Sequence, residues 1–250
     1  MSLYNKYRPT TWEGTNGLIG NDKIKKQLDQ LVKQSPLERP QVFLFTGPTG
    51  CGKTTIGRIL ASNLGCDIEY DLQEFVSADF RGIHTIRDIR RNMYLRPMGV
   101  GDNRVWILDE CHNLTNDAQN ALLKALEHPP SHVYFILCTD QPECLLAPLK
   151  GRCILYKVKP LNHTEELPLL LNRIARKEGK EFKKDDALQF IKDIKEEAEE
   201  EAKEIAERKG LKEKDTKAAI SLARKQACHP RNAIQALAKV LPTLPDKKKE

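Results

Sequence analysis

The sequence lacks the features that mark secreted, disulfide-bonded and membrane-spanning proteins. It has no apolar run of about 18 residues, and its opening letters, MSLYNKYRPTTWEG, contain neither an apolar signal core nor a cleavage site. Its seven cysteines are scattered and never spaced C-x-x-C, which argues against a disulfide framework or a zinc site. We therefore expect a protein of the cytoplasm with reduced cysteines, no membrane association and no zinc.

Charge of one sign does not dominate either. The chain has 41 lysines and arginines against 35 acidic residues, a formal net charge of +6. This balance favours an anionic partner only weakly, because many proteins with a similar charge bind no polyanion. A length of 250 residues allows one large domain or two modest ones.

The most specific motif is GPTGCGKTT, which follows an apolar run from Val42 to Phe45 and precedes a helical apolar pattern. A strand, a glycine-rich turn and a helix start together form a phosphate cradle, with backbone N–H groups and the helix dipole directed at the anion. Lys53 is expected to reach the β and γ phosphates, and the hydroxyl of Thr54 to bind Mg²⁺. The residues assigned to nucleotide binding are Gly47, Pro48, Thr49, Gly50, Cys51, Gly52, Lys53, Thr54 and Thr55.

Up to about Pro160 the chain alternates short apolar runs with helical patterns, which predicts an α/β fold with a parallel sheet and helices on both faces. Further strands are predicted at Val105 to Leu108, Val133 to Cys138 and Ile154 to Val158. A helix capped by Thr115 or Asn116 separates two of them.

The remainder of the chain carries only helical patterns. We therefore predict a second, all-α domain over residues 161–250, with a charged helical hairpin around 186–228. The hairpin is either a solvated helix pair or an arm that contacts a partner.

Two carboxylates, Asp109 and Glu110, follow the strand that begins at Val105. Ligands of open parallel sheets bind at the carboxyl ends of strands, so Asp109 is suited to hold Mg²⁺ and Glu110 to polarise the attacking water. Nucleotide kinases also have a phosphate loop and an acidic strand end. These residues alone therefore leave both an ATPase and a kinase open.

Longer motifs resemble the clamp-loader branch of the AAA+ ATPases, namely bacterial DNA polymerase III gamma/tau and the small subunits of replication factor C. The matching segments are YNKYRPTTW, GLIGND, VSADFRGIHTIRDIR, WILDECHNLTNDAQNALLKALEHPPSHVYFIL and HPRNAIQAL. The resemblance implies a P-loop AAA+ RecA-like core over residues 1–160 and a small helical lid domain over 161–250. It also implies ATP and Mg²⁺ as cofactors.

The same resemblance implies roles for further residues. Tyr7, Arg8 and Ile19 would contribute to the nucleotide site, and sensor 1 would be Thr139 or Asp140, although the family commonly has Thr or Asn at that position. Arg152 in the GRC motif would reach the ATP site of a neighbouring subunit, and Arg231 would be sensor 2. The catalytic set implied is Lys53, Glu110, Arg152 and Arg231, with Thr54 and Asp109 as the metal ligands.

DNA contact is expected at the helix that begins near Gly82, because helix-terminal N–H groups and arginines bind phosphates without reading sequence. In the family the start of this helix follows the DNA backbone. The residues assigned to DNA are Arg81, Thr85, Arg87, Arg90 and Arg91.

Two departures from the family are expected. Only Cys66 lies between the two Walker motifs, where gamma/tau carries a four-cysteine zinc module, and no room remains after Val240 for the collar domain that joins subunits into a ring.

The leading hypothesis is an ATPase subunit that loads a sliding clamp onto primer-template DNA together with other loader subunits. It would work in the cytoplasm, either nucleoid-associated or phage-encoded in a host. The alternative is a nucleotide-binding AAA+ interaction module, truncated or engineered, with little catalysis of its own.

Overall fold

The computed structural model describes residues 2–76, 82–210 and 213–245, which fall into two compact units. The sheet unit is Pro9–Lys159. The helical unit is Met1–Arg8 together with Pro160–Glu250. Each unit is described by itself.

The sheet unit is built on five parallel strands in the order β2-β3-β4-β1-β5. Every residue of β1 and β4 is buried, as expected for central strands covered on both faces. The strands are β1 (Val42–Thr46), β2 (Leu72–Val76), β3 (Arg104–Asp109), β4 (Val133–Thr139) and β5 (Ile154–Lys157).

Helices connect and cover the strands. The helices in chain order are α1 (Leu3–Lys6), α2 (Asp22–Val32), α3 (Lys53–Asn63), α4 (Ile83–Asn92), α5 (Asn116–Glu127), α6 (Ala147–Gly151), α7 (Glu166–Lys177), α8 (Lys184–Arg208), α9 (Glu213–Ala227) and α10 (Pro230–Val240).

Side chains alternate along the strands between two buried clusters. One cluster joins Phe43 and Phe45 of β1 to α2 and α3, and the other joins Val42 and Leu44 to α4 and α5. This alternation is the pleat of a strand with helices on both sides. The predicted fold class is confirmed.

Strand β2 is the element that the sequence analysis missed. It lies at the edge of the sheet, pairs with β3 and is only partly buried. Its sequence, LQEFV, contains polar Gln73 and Glu74, so it lacks the continuous apolar run by which the buried strands were recognised. Backbone pairing with β3 places it in the sheet, and its apolar residues Leu72 and Phe75 pack against the two buried clusters.

The helical unit contains α1 and α7 to α10, and α8 and α9 form the expected hairpin. Residues 2–8 belong to this unit, whereas the sequence analysis placed them in the first domain. The cause is local packing: α1 contacts α10, and both Lys6 Nζ and Tyr7 Oη donate to Glu178 Oε1 at 2.6 Å.

Candidate nucleotide-binding site

The phosphate loop leaves the end of β1 and enters α3. Gly47 N–H donates to the carbonyl of Thr139 at 3.2 Å, and Val158 N–H donates to Thr46 at 2.7 Å, so neighbouring strands hold the start of the loop. A Cβ at Gly47 would lie 2.3 Å from the Val158 carbonyl oxygen, which leaves room for glycine alone. Gly52, with φ +95°, makes the turn into the first residue of α3, as the motif predicts.

The two expected magnesium ligands meet in the structure. Thr54 Oγ1 donates to Asp109 Oδ2 at 2.7 Å, which brings a hydroxyl from the start of α3 to the carboxylate at the end of β3. Hydroxyl and carboxylate oxygens are the ligands that Mg²⁺ prefers, so this pair fits that ion. Lys53 lies beside it, with its Nζ donating to the carbonyls of Gly47 (2.8 Å) and Pro48 (3.0 Å).

Glu110 has a strained backbone. Its φ is +51°, in the left-handed region, and its N–H donates to Asp109 Oδ1 at 3.0 Å. A non-glycine residue there costs of order 1–3 kcal/mol, a cost often found at functional sites. The turn leaves the Glu110 side chain exposed next to Asp109.

The end of β4 approaches the phosphate loop from the other side. Thr139 is fully buried, and its hydroxyl accepts from Gln141 N–H at 3.0 Å. Asp140 faces the loop itself, because its Oδ2 accepts from Thr49 Oγ1 at 2.9 Å. Of the two alternatives for sensor 1, Asp140 is the one whose side chain touches the phosphate loop.

His112 is a site residue that the sequence analysis did not assign. Its Nδ1 lies 3.1 Å from Thr139 Oγ1 and 3.3 Å from Asp140 Oδ1. It sits in a short 3₁₀ turn, Cys111–Asn113, directly after Glu110. Its position two residues beyond the carboxylate assigned to catalysis was the available signal.

The cysteine within the loop is buried. Burial raises the pKa of the Cys51 thiol, so this side chain stays neutral beside a phosphate cradle. All seven cysteines are free thiols, and burial raises the pKa of both Cys66 and Cys153 to about 12. No group of three potential metal-binding side chains occurs within the described residues.

Arg152 follows α6 and pairs with Glu127 of α5, with Nη2 and Oε1 2.5 Å apart. The side chain is about one-third exposed, at 35%, so the guanidinium lies at the surface of the sheet unit. An arginine at the surface is available to a neighbouring molecule once the partly exposed pair opens.

Three of the residues assigned to nucleotide binding lie in the helical unit. Arg231, in the first turn of α10, stacks over the ring of Tyr4 with 4.8 Å between guanidinium and centroid. Arg8 approaches the same ring at 5.1 Å, and Tyr7 is held by Glu178. The structure therefore brings Arg8 and Arg231 together around Tyr4.

Ile19 is buried in the sheet unit, two residues before Asn21, which like Glu110 is a non-glycine residue with a positive φ. Asn21 (φ +54°) donates its amide to the carbonyl of Lys159 and accepts from the N–H of Lys159, both at 2.9 Å. The segment that contains Ile19 is thus tied to the chain just before Pro160.

Helix α4 presents the expected basic face. Ile86 and Ile89 are buried, whereas Arg87, Arg90 and Arg91 are exposed and Thr85 is partly exposed. Gly82 is the N-cap, which agrees with the predicted start of the helix. Arg81, also assigned to DNA, lies outside the described residues.

Large apolar side chains are exposed in the segment that follows α4. In this segment, named the 94–100 loop, Met98 is 80% exposed and Val100 is 100% exposed. The loop backbone is held firmly, because Met98 N–H and Gly99 N–H donate to the buried carboxylate of Asp71 at 2.8 and 2.7 Å. The sequence shows that this glycine-containing loop has apolar residues, but it does not show that they are exposed.

The chain is similar to several known proteins and family models. Residues 76–162 match the family described as DNA polymerase III, delta subunit, and residues 2–93 match the Rad17 P-loop domain. The DNA polymerase III subunit gamma/tau of Mycobacterium tuberculosis is 31% identical over 201 residues, covering 72% of this chain and 34% of the relative. The replication factor C small subunit of Methanocella arvoryzae is 34% identical over 190 residues, covering 74% and 57% respectively.

Among solved structures, the Thermotoga maritima RuvB Holliday junction branch migration motor matches with a TM-score of 0.67 at 18% identity. The match covers 97% of this chain and 69% of that one. At this identity the likeness defines the fold. The chain spans 34% and 57% of the lengths of the two sequence relatives named above.

The parallel sheet, the glycine-rich loop before α3 and the Thr54–Asp109 pair define a P-loop nucleotide-binding protein of the AAA+ fold. Within that class, the homologues of this chain are clamp-loader ATPases, namely DNA polymerase III gamma/tau and the replication factor C small subunits. No described helix is long and apolar enough to cross a membrane.

Proposed function

We propose that this protein is an ATP-hydrolysing subunit of a DNA sliding-clamp loader. The observation that carries the proposal is the bond between Thr54 and Asp109, because it joins the two motifs that hold Mg²⁺ beside Lys53. In this proposal ATP binding favours assembly of loader, clamp and primer-template DNA, and hydrolysis releases the clamp on DNA. The site of action would be the cytoplasm, at the nucleoid or in a phage-infected host.

Each residue of the site has a defined task. The N–H groups of residues 47–55 bind the phosphates, and Lys53 turns from the loop carbonyls to the β and γ phosphates. Thr54 and Asp109 hold Mg²⁺, which neutralises charge on the phosphates when bound. Glu110 orients and polarises the water that attacks the γ-phosphate.

Arg152 acts on the ATP of a neighbouring subunit. Its surface position after α6 supports this role, since an arginine supplied in trans must be able to leave its own chain's contacts. Such an arginine contributes roughly 10³–10⁵ to the rate in related phosphoryl transfers. In the family's scheme Arg231, Arg8, Tyr7 and Ile19 complete the nucleotide site.

The two proposed partners, DNA and the sliding clamp, use different surfaces of the sheet unit. The exposed arginines of α4 suit the phosphate backbone of DNA. The 94–100 loop suits a protein partner, because apolar side chains on a firmly held loop bind with little loss of conformational entropy. We assign this loop to the sliding clamp.

ATP turnover tests the proposal. We expect low turnover for the isolated chain and stimulation by primed DNA, a sliding clamp and the other loader subunits, with Lys53→Ala as the inactive control. Val100→Asp should abolish stimulation by the clamp while leaving stimulation by DNA. Absence of stimulation with every combination of partners would contradict the proposal.

The alternative, an interaction module with little catalysis, is supported by the hairpin. Helix α9 buries no residue, and the hairpin exposes Ile205 (51%) and Leu222 (55%). Deleting the hairpin would distinguish the two functions. Loss of partner binding with unchanged turnover in the presence of DNA would favour the module.

A further inference from the structure

The carboxylate of Asp140 touches the phosphate loop. Strands β1 and β4 are neighbours in register, with Thr46 opposite Thr139, so the residues that follow them leave the sheet side by side. Gly47 N–H donates to the carbonyl of Thr139. One residue further along β4, Asp140 Oδ2 accepts from Thr49 Oγ1 at 2.9 Å.

No strong cation neutralises this carboxylate within the described residues. Lys53 Nζ is bonded to the carbonyls of Gly47 and Pro48, and the ionisable partner of Asp140 is His112, with Nδ1 3.3 Å from Oδ1. The Asp140 side chain is 30% exposed, so solvent screens its negative charge only in part. A negative charge thus lies against the third residue of a loop built to bind phosphate.

We infer that Asp140 is a specificity-determining residue, which weakens the binding of a nucleoside triphosphate relative to the diphosphate. The inference rests on the proposed function, since it assumes that the loop binds adenine nucleotides. The triphosphate brings one more negative charge than the diphosphate. Like charges several Å apart at a partly exposed site repel each other, because solvent screens the interaction only in part.

This charge has a consequence for the loader cycle. Where clamp loaders commonly have Thr or Asn, an acid raises the concentration of ATP needed to fill the site. The chain therefore retains ADP more readily than its relatives. Its ATP affinity depends more strongly on Mg²⁺ and on cationic side chains of partner subunits. The hydrogen bond from Thr49 holds the carboxylate in the position that produces this effect.

Asp140→Asn tests the inference, because asparagine keeps an oxygen that can accept from Thr49 and removes only the charge. Dissociation constants for ATP and for ADP are measured by competition against a fluorescent nucleotide, with Mg²⁺ present and with it chelated. We expect about tenfold tighter ATP binding and a change below twofold for ADP. The gain should be larger without Mg²⁺.

A control variant separates the charge at Asp140 from acidic charge elsewhere on the surface. Glu143→Gln removes an exposed acid three residues further on, in the short turn Pro142–Cys144, and should leave the ATP-to-ADP ratio unchanged. An equal gain in ATP affinity for Glu143→Gln would overturn the inference.

The inference can fail separately from the proposed function. Nucleotide binding with the same ATP-to-ADP ratio in the wild type and in Asp140→Asn overturns the inference alone. Failure of both proteins to bind either nucleotide overturns the nucleotide site itself, and with it the inference.

Discussion

Thr54 and Asp109 are 55 residues apart in sequence, and the hydroxyl of one donates to the carboxylate of the other at 2.7 Å. Asp109 ends β3, and Thr54 follows the loop that leaves β1. Both strands are parallel and flank β4, so the two residues lie at the same edge of the sheet. The proposed Mg²⁺ site rests on this relationship, which leads to the first prediction.

Thr54→Val removes the hydroxyl while keeping the shape of the side chain. We expect the Mg²⁺ dependence of ATP affinity to disappear and turnover to fall about 100-fold, because one of two metal ligands is lost. Isothermal titration with and without chelator measures the first effect. Ser62→Ala, which removes an exposed hydroxyl near the end of α3, is the control, and an equal loss there would contradict the assignment of Thr54.

Glu110 combines a proposed catalytic role with backbone strain. Glu110→Gln should still bind ATP but lower turnover at least 100-fold, since the amide does not polarise water as a carboxylate does.

The strain at Glu110 is tested by a different pair of variants. Because its φ is +51°, Glu110→Gly should be about 1 kcal/mol more stable than Glu110→Ala. Urea denaturation measures the difference. Equal stability of the two would show that the left-handed backbone costs nothing.

Arg152 and Glu127 form a pair that allows a clean test of action in trans. Arg152→Ala should leave ATP binding unchanged and reduce turnover of the assembled loader by about 10³-fold. Glu127→Gln breaks the same ion pair but keeps the arginine, so its turnover should equal that of the wild type or exceed it. If Glu127→Gln is as inactive as Arg152→Ala, the arginine has only a structural role.

The exposed arginines of α4 should contribute to DNA affinity without sequence preference. Replacing Arg87 with alanine should weaken binding to all sequences equally and reduce the slope of log affinity against log salt by about 1. Lys33→Ala removes an exposed positive charge directly after α2 and serves as the control. An unchanged slope for Arg87→Ala would contradict the DNA assignment.

Acid should loosen the attachment of residues 2–8 to α7. Hydrogen bonds from Lys6 and then Tyr7 lower the pKa of Glu178 below its usual 4.5. A depressed pKa in the folded state stabilises the fold above pH 4.5, and this contribution is lost as the pH falls through the lowered value.

Hydrogen exchange of residues 3–8 provides the measurement. Protection should fall as the pH drops below about 4.5, after correction for intrinsic rates. In Glu178→Gln protection should be low at neutral pH and should change little with acid. The same acid sensitivity in the variant would exclude Glu178 as the titrating group.

Local patterns in the sequence predicted much of the sheet unit. The apolar runs at Val42, Val105 and Val133 became β1, β3 and β4, because a buried strand needs continuous hydrophobicity. Thr115, one of two predicted caps, is the N-cap of α5, and its side chain accepts from Ala118 N–H. Strand β2 was not predicted, because an edge strand with polar residues has no continuous apolar run.

The sequence by itself determined which elements form and which chemical groups they carry. The strand, glycine turn and helix around Lys53 follow from hydrophobic period and glycine placement, which are local properties. Tertiary structure alone decided that Asp140 contacts Thr49, that Arg152 pairs with Glu127, and that residues 2–8 pack with α10. Those relationships depend on strand order, register and helix packing, which bring together residues far apart in the chain. Local sequence patterns do not reveal such contacts.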